Sequence, residues 1–190
     1  YLVLALNEDE LRPGGGFISG VGEVHVEAGK LITMTFRDSY AVDDFSQPYP
    51  PAPELMERTM GIDLLVFRDS NWSADFPTAA RRAIELYRPG YPVSIDGVVA
   101  LDQRAVRGLV GAVDPVSVEG TDEPVTDDNV LAYMHQAWAP GQEDWTGEWW
   151  RERKSFMGTM AKAVWERVEE GEVDWVALGR SVLRLLEEKH

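Results

Sequence analysis

The order of strand and helix patterns constrains the fold of this chain more than any other feature. Strand patterns come first, at Tyr1–Leu6, Phe17–Glu27 and Leu31–Phe36, and the turn at 28–30 predicts a hairpin between the last two. Strands and helices then alternate, and two helices at 148–170 and 173–189 finish the chain. This order is typical of a mixed sheet with helices on its faces, so we predict an α/β (α+β) fold.

The middle of the chain supplies further elements. Asp75 as an N-cap, with Pro77 in the first turn, predicts a helix that carries apolar residues at helical spacing up to Tyr87. The other predicted elements are a helix at Glu54–Met60, strands at Asp63–Phe67 and Ser94–Asp102, a helix over "QRAVRGLVGAV", a short strand in "DPVSVEG" and a helix from Thr126 to about Ala137.

The amino-acid composition limits the partners and the chemistry that the chain can have. The chain has 190 residues with a net charge of −15, and its acidic surface argues against nucleic acid as a partner. It has no Cys, which excludes disulfides and thiolate chemistry. Its cations are 14 Arg and only 4 Lys, so any basic site must be a local Arg cluster. Arg also grips phosphate and carboxylate in a forked geometry that Lys lacks.

The two ends of the sequence suggest that it was cut from a longer protein. Tyr1 opens directly into a strand, and the last residues up to His190 still follow a helical pattern. No apolar run reaches the length of about 18 residues that would predict a membrane span. We therefore expect 1–190 to be a single domain, anchored to a membrane through a segment outside this chain.

The tripeptide Arg-Asp-Ser follows an apolar run twice, at Arg37-Asp38 and at Arg68-Asp69. One interpretation is that both strand ends face a single site that needs a cation and a carboxylate. The alternative is a coincidence at two strand ends, with the charges used as internal ion pairs. Asp43 and Asp44 follow the first of these segments. Carboxylates grouped in this way could hold Mg²⁺ or Ca²⁺, or they could belong to an ordinary acidic loop.

Three further segments carry candidate residues. Asn71 and Trp72 follow the second Arg-Asp-Ser, between a strand end and a helix start, where open α/β sheets bind ligands. Their other interpretation is capping and packing. Arg12 begins the glycine-rich "RPGGGF", which either cradles a phosphate or makes a tight connection. Arg151 and Arg153 begin a long helix, as ligand-binding residues or as solvated charges.

Other chemistries find no support in the sequence. The three His residues, His25, His135 and His190, lack the spacing of zinc ligands. The chain has no G-x-S-x-G motif for a hydrolase nucleophile and no basic stretch interleaved with aromatic residues for nucleic acid.

Five segments resemble an uncharacterised bacterial family of membrane-anchored, extracytoplasmic domains of unknown function. They are "LNEDELRPGGGFI", "FRDSYAVD", "RDSNWSADFPTAA", "SIDGVVALD" and "RKSFM", and the match that they mark extends over nearly the whole chain. The resemblance implies an extracytoplasmic protein of the cell envelope.

The order of these motifs is also similar to that of the LytR-CpsA-Psr phosphotransferases, which attach glycopolymers from polyprenyl-diphosphate carriers to the cell wall. Arg37-Asp38-Ser39 stands in the place of their Pro-Arg-Asp-Thr motif, Ser70-Asn71-Trp72 in that of Lys-Ile-Asn, and Arg151–Phe156 in that of Arg-x-x-Arg-Gln-Gln. "DGVVALDQRAVRGLVGAVDPVSV" matches a strand and the helix and strand after it, and "VLAYMH" matches a further helix. The resemblance implies a three-layer αβα sandwich with an arginine-lined groove for a lipid diphosphate.

Several positions depart from the pattern of the transferases. The segment whose Asp binds Mg²⁺ is Arg12-Pro13-Gly14-Gly15-Gly16 here, without an Asp, and an expected Arg is His135. The Gln pair is missing as well. The cofactor therefore stays open: Mg²⁺ is implied by the resemblance, but its expected ligand is absent.

Two hypotheses follow. In the first, the chain is a phosphotransferase or glycopolymer ligase that binds a polyprenyl-linked glycan or a lipid head group. In the second, it is a non-catalytic envelope module that binds a glycan, a lipid or a partner protein. The first assigns catalysis to Arg37, Asp38, Arg68 and Asp69, and ligand binding to Arg12, Asn71, Trp72, Arg151 and Arg153.

Overall fold

The fold is that of a computed structural model, which describes residues 1–113, 115–138, 147–171 and 173–188, with residues 138 and 147–155 described by their helices alone. The chain divides into two compact units, Tyr1–Asp102 and Gln103–His190. The expectation of one domain within a longer anchored protein stays a prediction. None of the helices in the described part of the chain is both long and apolar enough to cross a membrane.

The sheet lies in the first unit, and its strands are β1 (Leu2–Asn7), β2 (Phe17–Glu27), β3 (Lys30–Asp38) and β4 (Val98–Leu101). They lie in the order β3-β2-β1-β4. β1 pairs antiparallel with β2 and parallel with β4, which confirms the prediction of a mixed α/β sheet. The predicted hairpin is also present: Ala28 and Gly29, both with positive φ, turn β2 into β3.

The helices of the first unit are α1 (Glu54–Met60), α2 (Phe76–Tyr87) and two 3-10 helices, at Ser39–Ala41 and Phe67–Trp72. α2 begins as predicted, because the Asp75 carboxylate accepts the backbone N–H of Thr78 at 3.0 Å. Each 3-10 helix contains the Ser of an Arg-Asp-Ser segment, but Arg37 and Asp38 end β3, whereas Arg68 and Asp69 lie inside the second 3-10 helix.

The core of the first unit joins one face of the sheet to α2. α2 turns its buried face towards it with Ala83, Leu86 and Tyr87, which lie three and four residues apart. Both Phe67 and Tyr87 are fully buried, with ring centres 5.6 Å apart. The sheet contributes the buried residues Leu2, Leu4, Leu6, Ile18 and Val21.

The prediction of a strand at Asp63–Phe67 is wrong. Only Leu64 forms a bridge, to Pro51, and the Leu65 N–H donates to the Pro50 carbonyl at 2.9 Å. A longer ladder cannot form on this partner, because prolines have no N–H to donate. The apolar run is buried as expected, but it is held by a proline-rich loop and not by a strand.

The second unit is helical, with α3 (Gln103–Val110), α4 (Val130–Trp138), α5 (Gly147–Glu169) and α6 (Trp175–Glu188). α6 packs on α3, where a Cβ at Gly108 would lie 3.4 Å from Leu185 Cδ1. The short strand predicted in "DPVSVEG" is reduced to a single bridge between Val116 and Val125.

Candidate functional site

The first Arg-Asp-Ser segment lies at the end of β3, where its arginine contacts β2 and α2. Arg37 pairs with Val21 in the hairpin, so Glu23, two residues along β2, lies on the same face. Arg37 Nη1 lies 3.6 Å from Glu23 Oε2 and donates to the Tyr87 hydroxyl, which donates to Glu23 Oε2 at 3.0 Å. The guanidinium also lies 4.3 Å from the ring centre of Tyr91. A carboxylate, a phenol and an aromatic face therefore hold Arg37.

Asp38 serves the backbone next to it. Its side chain accepts the N–H of Tyr40 at 2.8 Å and so caps the first 3-10 helix. The residue is buried, and Ser39, the next residue, is completely buried. The Ser39 hydroxyl has no hydrogen-bond partner among the described residues.

The second segment sends its two charged side chains to different partners. Arg68 Nη1 donates to Asp43 Oδ2, and the other oxygen of Asp43 accepts the N–H of Phe67 at 2.9 Å. The Arg68 guanidinium lies 4.5 Å from the ring centre of Tyr40. The Asp43 side chain is 1% exposed and that of Arg68 is 22% exposed. The carboxylate is therefore shielded from water, whereas part of the guanidinium can still be reached by solvent.

Asp69 forms the deepest ion pair of the site. Its Oδ1 accepts from Arg12 Nε at 2.7 Å, and the two side chains are only 2% and 10% exposed. Arg12 also lies 5.1 Å from the ring centre of Phe17. The glycine-rich loop that follows β1 is thus fixed to the second 3-10 helix by a buried, charge-assisted hydrogen bond.

Burial shifts the pKa of two members of these networks. Desolvation raises the pKa of Asp43 above its usual value, although Arg68 and the N–H of Phe67 act in the opposite direction. Desolvation likewise raises the pKa of Tyr87, while Arg37 lowers it. In both networks the removal from water outweighs the attraction of the neighbouring guanidinium.

Asn71 and Trp72 pack within the fold. Asn71 Nδ2 donates to the carbonyl of Gly16 at 2.7 Å, and its backbone meets Gly14 so closely that a Cβ there would lie 2.4 Å from Asn71 O. Trp72 packs, partly buried, against the core of the first unit. Asn71 Oδ1 and the hydroxyl of Ser70 are buried without a hydrogen-bond partner among the described residues.

Two neighbouring aromatic rings lie between two of the predicted arginines. Phe17 and Tyr40 have ring centres 6.0 Å apart, with Arg12 over the first ring and Arg68 over the second. The structure therefore gathers Arg12, Asp69 and Asn71 at the glycine-rich loop. Arg68 is held beside them by Asp43 and Tyr40, whereas Arg37 is held between β2 and α2 by Glu23, Tyr87 and Tyr91. Arg151 and Arg153 lie in α5, and their side chains are outside the described residues.

Glu23 and Tyr87, which hold Arg37, were not among the residues predicted for the site. The hairpin register carried a signal for Glu23, because it places that residue diagonally across from Arg37 on the same face. No such local signal exists for Tyr87, which reaches Arg37 through the packing of α2.

The carboxylates do not fit a magnesium site. Mg²⁺ requires several oxygen ligands in near-octahedral geometry. Asp38 is occupied by a backbone N–H, and Asp43 and Asp69 are paired with arginines. In the part of the chain that the structure describes, no three His, Cys, Asp or Glu side chains are grouped so that they could hold a metal ion.

A groove of about 270 Å³ lies beside this network in the first unit. One wall is the loop that follows the first 3-10 helix, and the other is the last part of α2. Its lining combines an apolar floor, formed by Val42 and Leu86, with the polar side chains Asp44, Gln47, Arg82 and Glu85 and the ring of Tyr49.

No curated protein and no solved structure matches the chain significantly. A family model described as "Protein of unknown function (DUF4012)" matches residues 1–138, which include the whole sheet and the site around the Arg-Asp-Ser segments. The chain therefore belongs to the DUF4012 family.

Proposed function

We propose that this chain is a non-catalytic, ligand-binding module of the bacterial cell envelope, extracytoplasmic and anchored through a segment outside the chain. The Arg-Asp-Ser segments are structural in this proposal, and they do not grip a phosphate. The envelope location rests on the resemblance of the motifs to extracytoplasmic domains.

One observation carries the proposal: each predicted arginine whose side chain is described already has a carboxylate partner. Arg12 pairs with Asp69, Arg37 with Glu23 and Arg68 with Asp43. A lipid diphosphate would need guanidinium groups that can turn towards it. These three are turned towards the protein itself.

The cost of releasing an arginine supports the same conclusion. If Arg68 left Asp43 for a phosphate, a carboxylate that is 1% exposed would lose its partner. Breaking a buried ion pair on one side costs about 3–5 kcal/mol. A ligand would have to supply this free energy before any net binding appeared, and the loss for Arg12 and Asp69 would be of the same kind.

The experiment compares stability with lipid binding in four variants. Arg12→Ala, Arg37→Ala and Arg68→Ala are tested beside Arg58→Ala, because Arg58 is exposed on α1 and provides the matched control. Urea unfolding and flotation with phosphatidylglycerol vesicles that contain polyprenyl diphosphate are measured for each. We expect the first three variants to unfold at lower urea than the control, and vesicles with and without the diphosphate to capture the wild type equally.

The opposite result would overturn the proposal. If the diphosphate increased capture of the wild type, and folded Arg37→Ala and Arg68→Ala lost that increase while Arg58→Ala kept it, the arginines would be ligand-binding residues.

A second candidate is the transferase that the resemblance to LytR-CpsA-Psr proteins implies, with their three-layer αβα sandwich. Two observations favour it. Arg37 and Arg68 keep 24% and 22% of their side chains exposed, so further N–H groups could reach an anion. Buried polar atoms of Ser39, Ser70 and Asn71 also lack partners among the described residues, as polar atoms near a ligand often do. The vesicle experiment separates the two candidates.

A further inference from the structure

One wall of the groove beside α2 is a loop that is held by its own hydrogen bonds and by prolines. The loop at 44–49 is closed by Asp44, whose carboxylate accepts the N–H of Ser46 at 2.9 Å and whose own N–H donates to the Tyr49 hydroxyl at 2.8 Å. Pro48 and Pro50 flank Tyr49 and fix the backbone on both sides. The wall is therefore organised before any ligand arrives, which reduces the entropy that binding must overcome.

The opposite wall offers planar polar groups at the surface. Arg82 and Glu85 on α2 pair with each other at 2.9 Å, and their side chains are 43% and 60% exposed. An exposed pair of this kind contributes little to stability, so a ligand can exchange its hydrogen bonds at small cost. This contrasts with Arg68 and Asp43, where the carboxylate is closed off from water.

The lining indicates the class of ligand. A sugar ring has one apolar face and a rim of hydroxyl groups that both donate and accept hydrogen bonds. The buried Val42 and Leu86 and the Tyr49 ring suit the apolar face. Gln47, which both donates and accepts hydrogen bonds, suits the hydroxyl groups of the rim. Arg82 and the other polar side chains of the lining suit them as well.

Charge and size restrict the ligand further. Asp44 and Glu85 outweigh Arg82 in the lining, and the whole chain carries −15, so an anionic ligand is repelled. A groove of about 270 Å³ lies just below the range of about 300–1,000 Å³ that accommodates drug-sized ligands. It suits a ligand about as large as a single sugar ring.

We infer that this groove binds the ring of a neutral sugar, as part of a larger glycan. The inference rests on the proposed function, because it names the ligand of a module whose arginine pairs are structural. Tyr49 and Leu86 contact the ring, and Arg82 and Glu85 select its hydroxyl groups.

The test uses the whole chain and a panel of neutral disaccharides of glucose, mannose, galactose and N-acetylglucosamine. Saturation-transfer NMR identifies the sugars that bind, and titration gives their Kd. Arg82→Ala and Glu85→Ala remove the rim contacts, and Arg81→Ala, the exposed neighbour of Arg82 on α2, is the matched control. We expect a millimolar Kd for at least one disaccharide, about tenfold weaker in each rim variant because one hydrogen bond to a charged group is lost, and unchanged in Arg81→Ala.

Two results would overturn the inference. One is that no disaccharide in the panel shows transfer. The other is that Arg82→Ala and Glu85→Ala bind as the wild type does, which would place the sugar elsewhere. These failures differ from failure of the proposed function, which appears in the vesicle experiment as loss of diphosphate capture in the Arg37 and Arg68 variants.

Discussion

Arg12 Nε lies 2.7 Å from Asp69 Oδ1, a buried hydrogen bond between residues 57 positions apart. It ties the loop between β1 and β2 to the helical turn in front of α2. The contact explains why an acidic domain keeps an arginine in a glycine-rich loop: the charge neutralises a carboxylate that has almost no access to water.

Removing one partner of this pair should destabilise the chain strongly. We expect Asp69→Leu or Arg12→Met to lower the free energy of unfolding by about 3–5 kcal/mol, because the remaining charge stays buried and unpaired. The double variant should recover most of the loss, since an apolar pair of similar volume leaves no charge uncompensated. Urea unfolding of the three variants provides the double-mutant cycle.

Additive losses in that cycle would contradict the ion pair. A double variant that loses the sum of both single losses would mean that Arg12 and Asp69 stabilise the fold separately.

Gly14 should tolerate no side chain. Its Cβ would lie 2.4 Å from the carbonyl oxygen of Asn71, a backbone atom that cannot rotate away. We expect Gly14→Ala to cost about 1–3 kcal/mol, as overpacking does. The control is Gly20→Ala in β2, where the nearest atom lies 3.5 Å away and no loss is expected. Equal stability of the two variants in thermal unfolding would show that the loop can move off Asn71.

Asp43 should give the chain an unusual dependence on pH. Burial raises the pKa of its carboxyl above 3.8, so between 3.8 and the raised pKa the folded chain holds a proton that the unfolded chain has lost. The contribution of Asp43 to the free energy of unfolding therefore falls as pH rises through this window. We expect the difference between wild type and Asp43→Asn to fall accordingly in urea unfolding at several pH values.

Asp44 and Asp75 have pKa values lowered by hydrogen bonds, so their contributions are lost as pH falls and have the opposite sign. They are common to wild type and Asp43→Asn and cancel in the difference. A difference that grew with pH would mean that Arg68 outweighs the burial of Asp43.

Tyr87 should ionise at higher pH than an ordinary tyrosine. Burial raises its pKa above 10.0, so above pH 10 the unfolded phenol loses its proton first and the free energy of unfolding falls as pH rises. We expect Tyr87→Phe to remove this slope and to cost about 1 kcal/mol at neutral pH, because Glu23 and Arg37 lose a partner. Ultraviolet titration of the phenols measures the pKa of the last tyrosine to ionise. If every phenol of the wild type ionised at its ordinary pH, the expectation would be contradicted.

Local patterns predicted much of the fold. The Asp75 cap, Pro77 and the helical spacing of buried residues up to Tyr87 lie within one segment, so α2 could be predicted from it alone. The hairpin of β2 and β3 is equally local. The strand predicted at Asp63–Phe67 failed because its partner is a proline-rich loop, and a sequence pattern reports burial without reporting the neighbour that provides it.

The candidate site could be predicted only in part. Arg68 and Asp69 were predicted as site residues from the repeated tripeptide, and from the second 3-10 helix they reach different partners. Those partners, Asp43 and Arg12, come from loops 25 and 57 residues away, so their positions depend on how the loops fold back. No local sequence pattern shows how these two loops fold back onto the second 3-10 helix.

The parallel pairing of β1 with β4 affects the order in which the sheet can be completed. β1 lies inside the sheet, yet the strand that completes it begins only at Val98. During folding, one edge of β1 therefore stays unpaired until nearly the whole first unit has been arranged. Such an edge is a template for pairing with another chain, so late docking of β4 would prolong the period in which neighbouring copies can join by strand exchange.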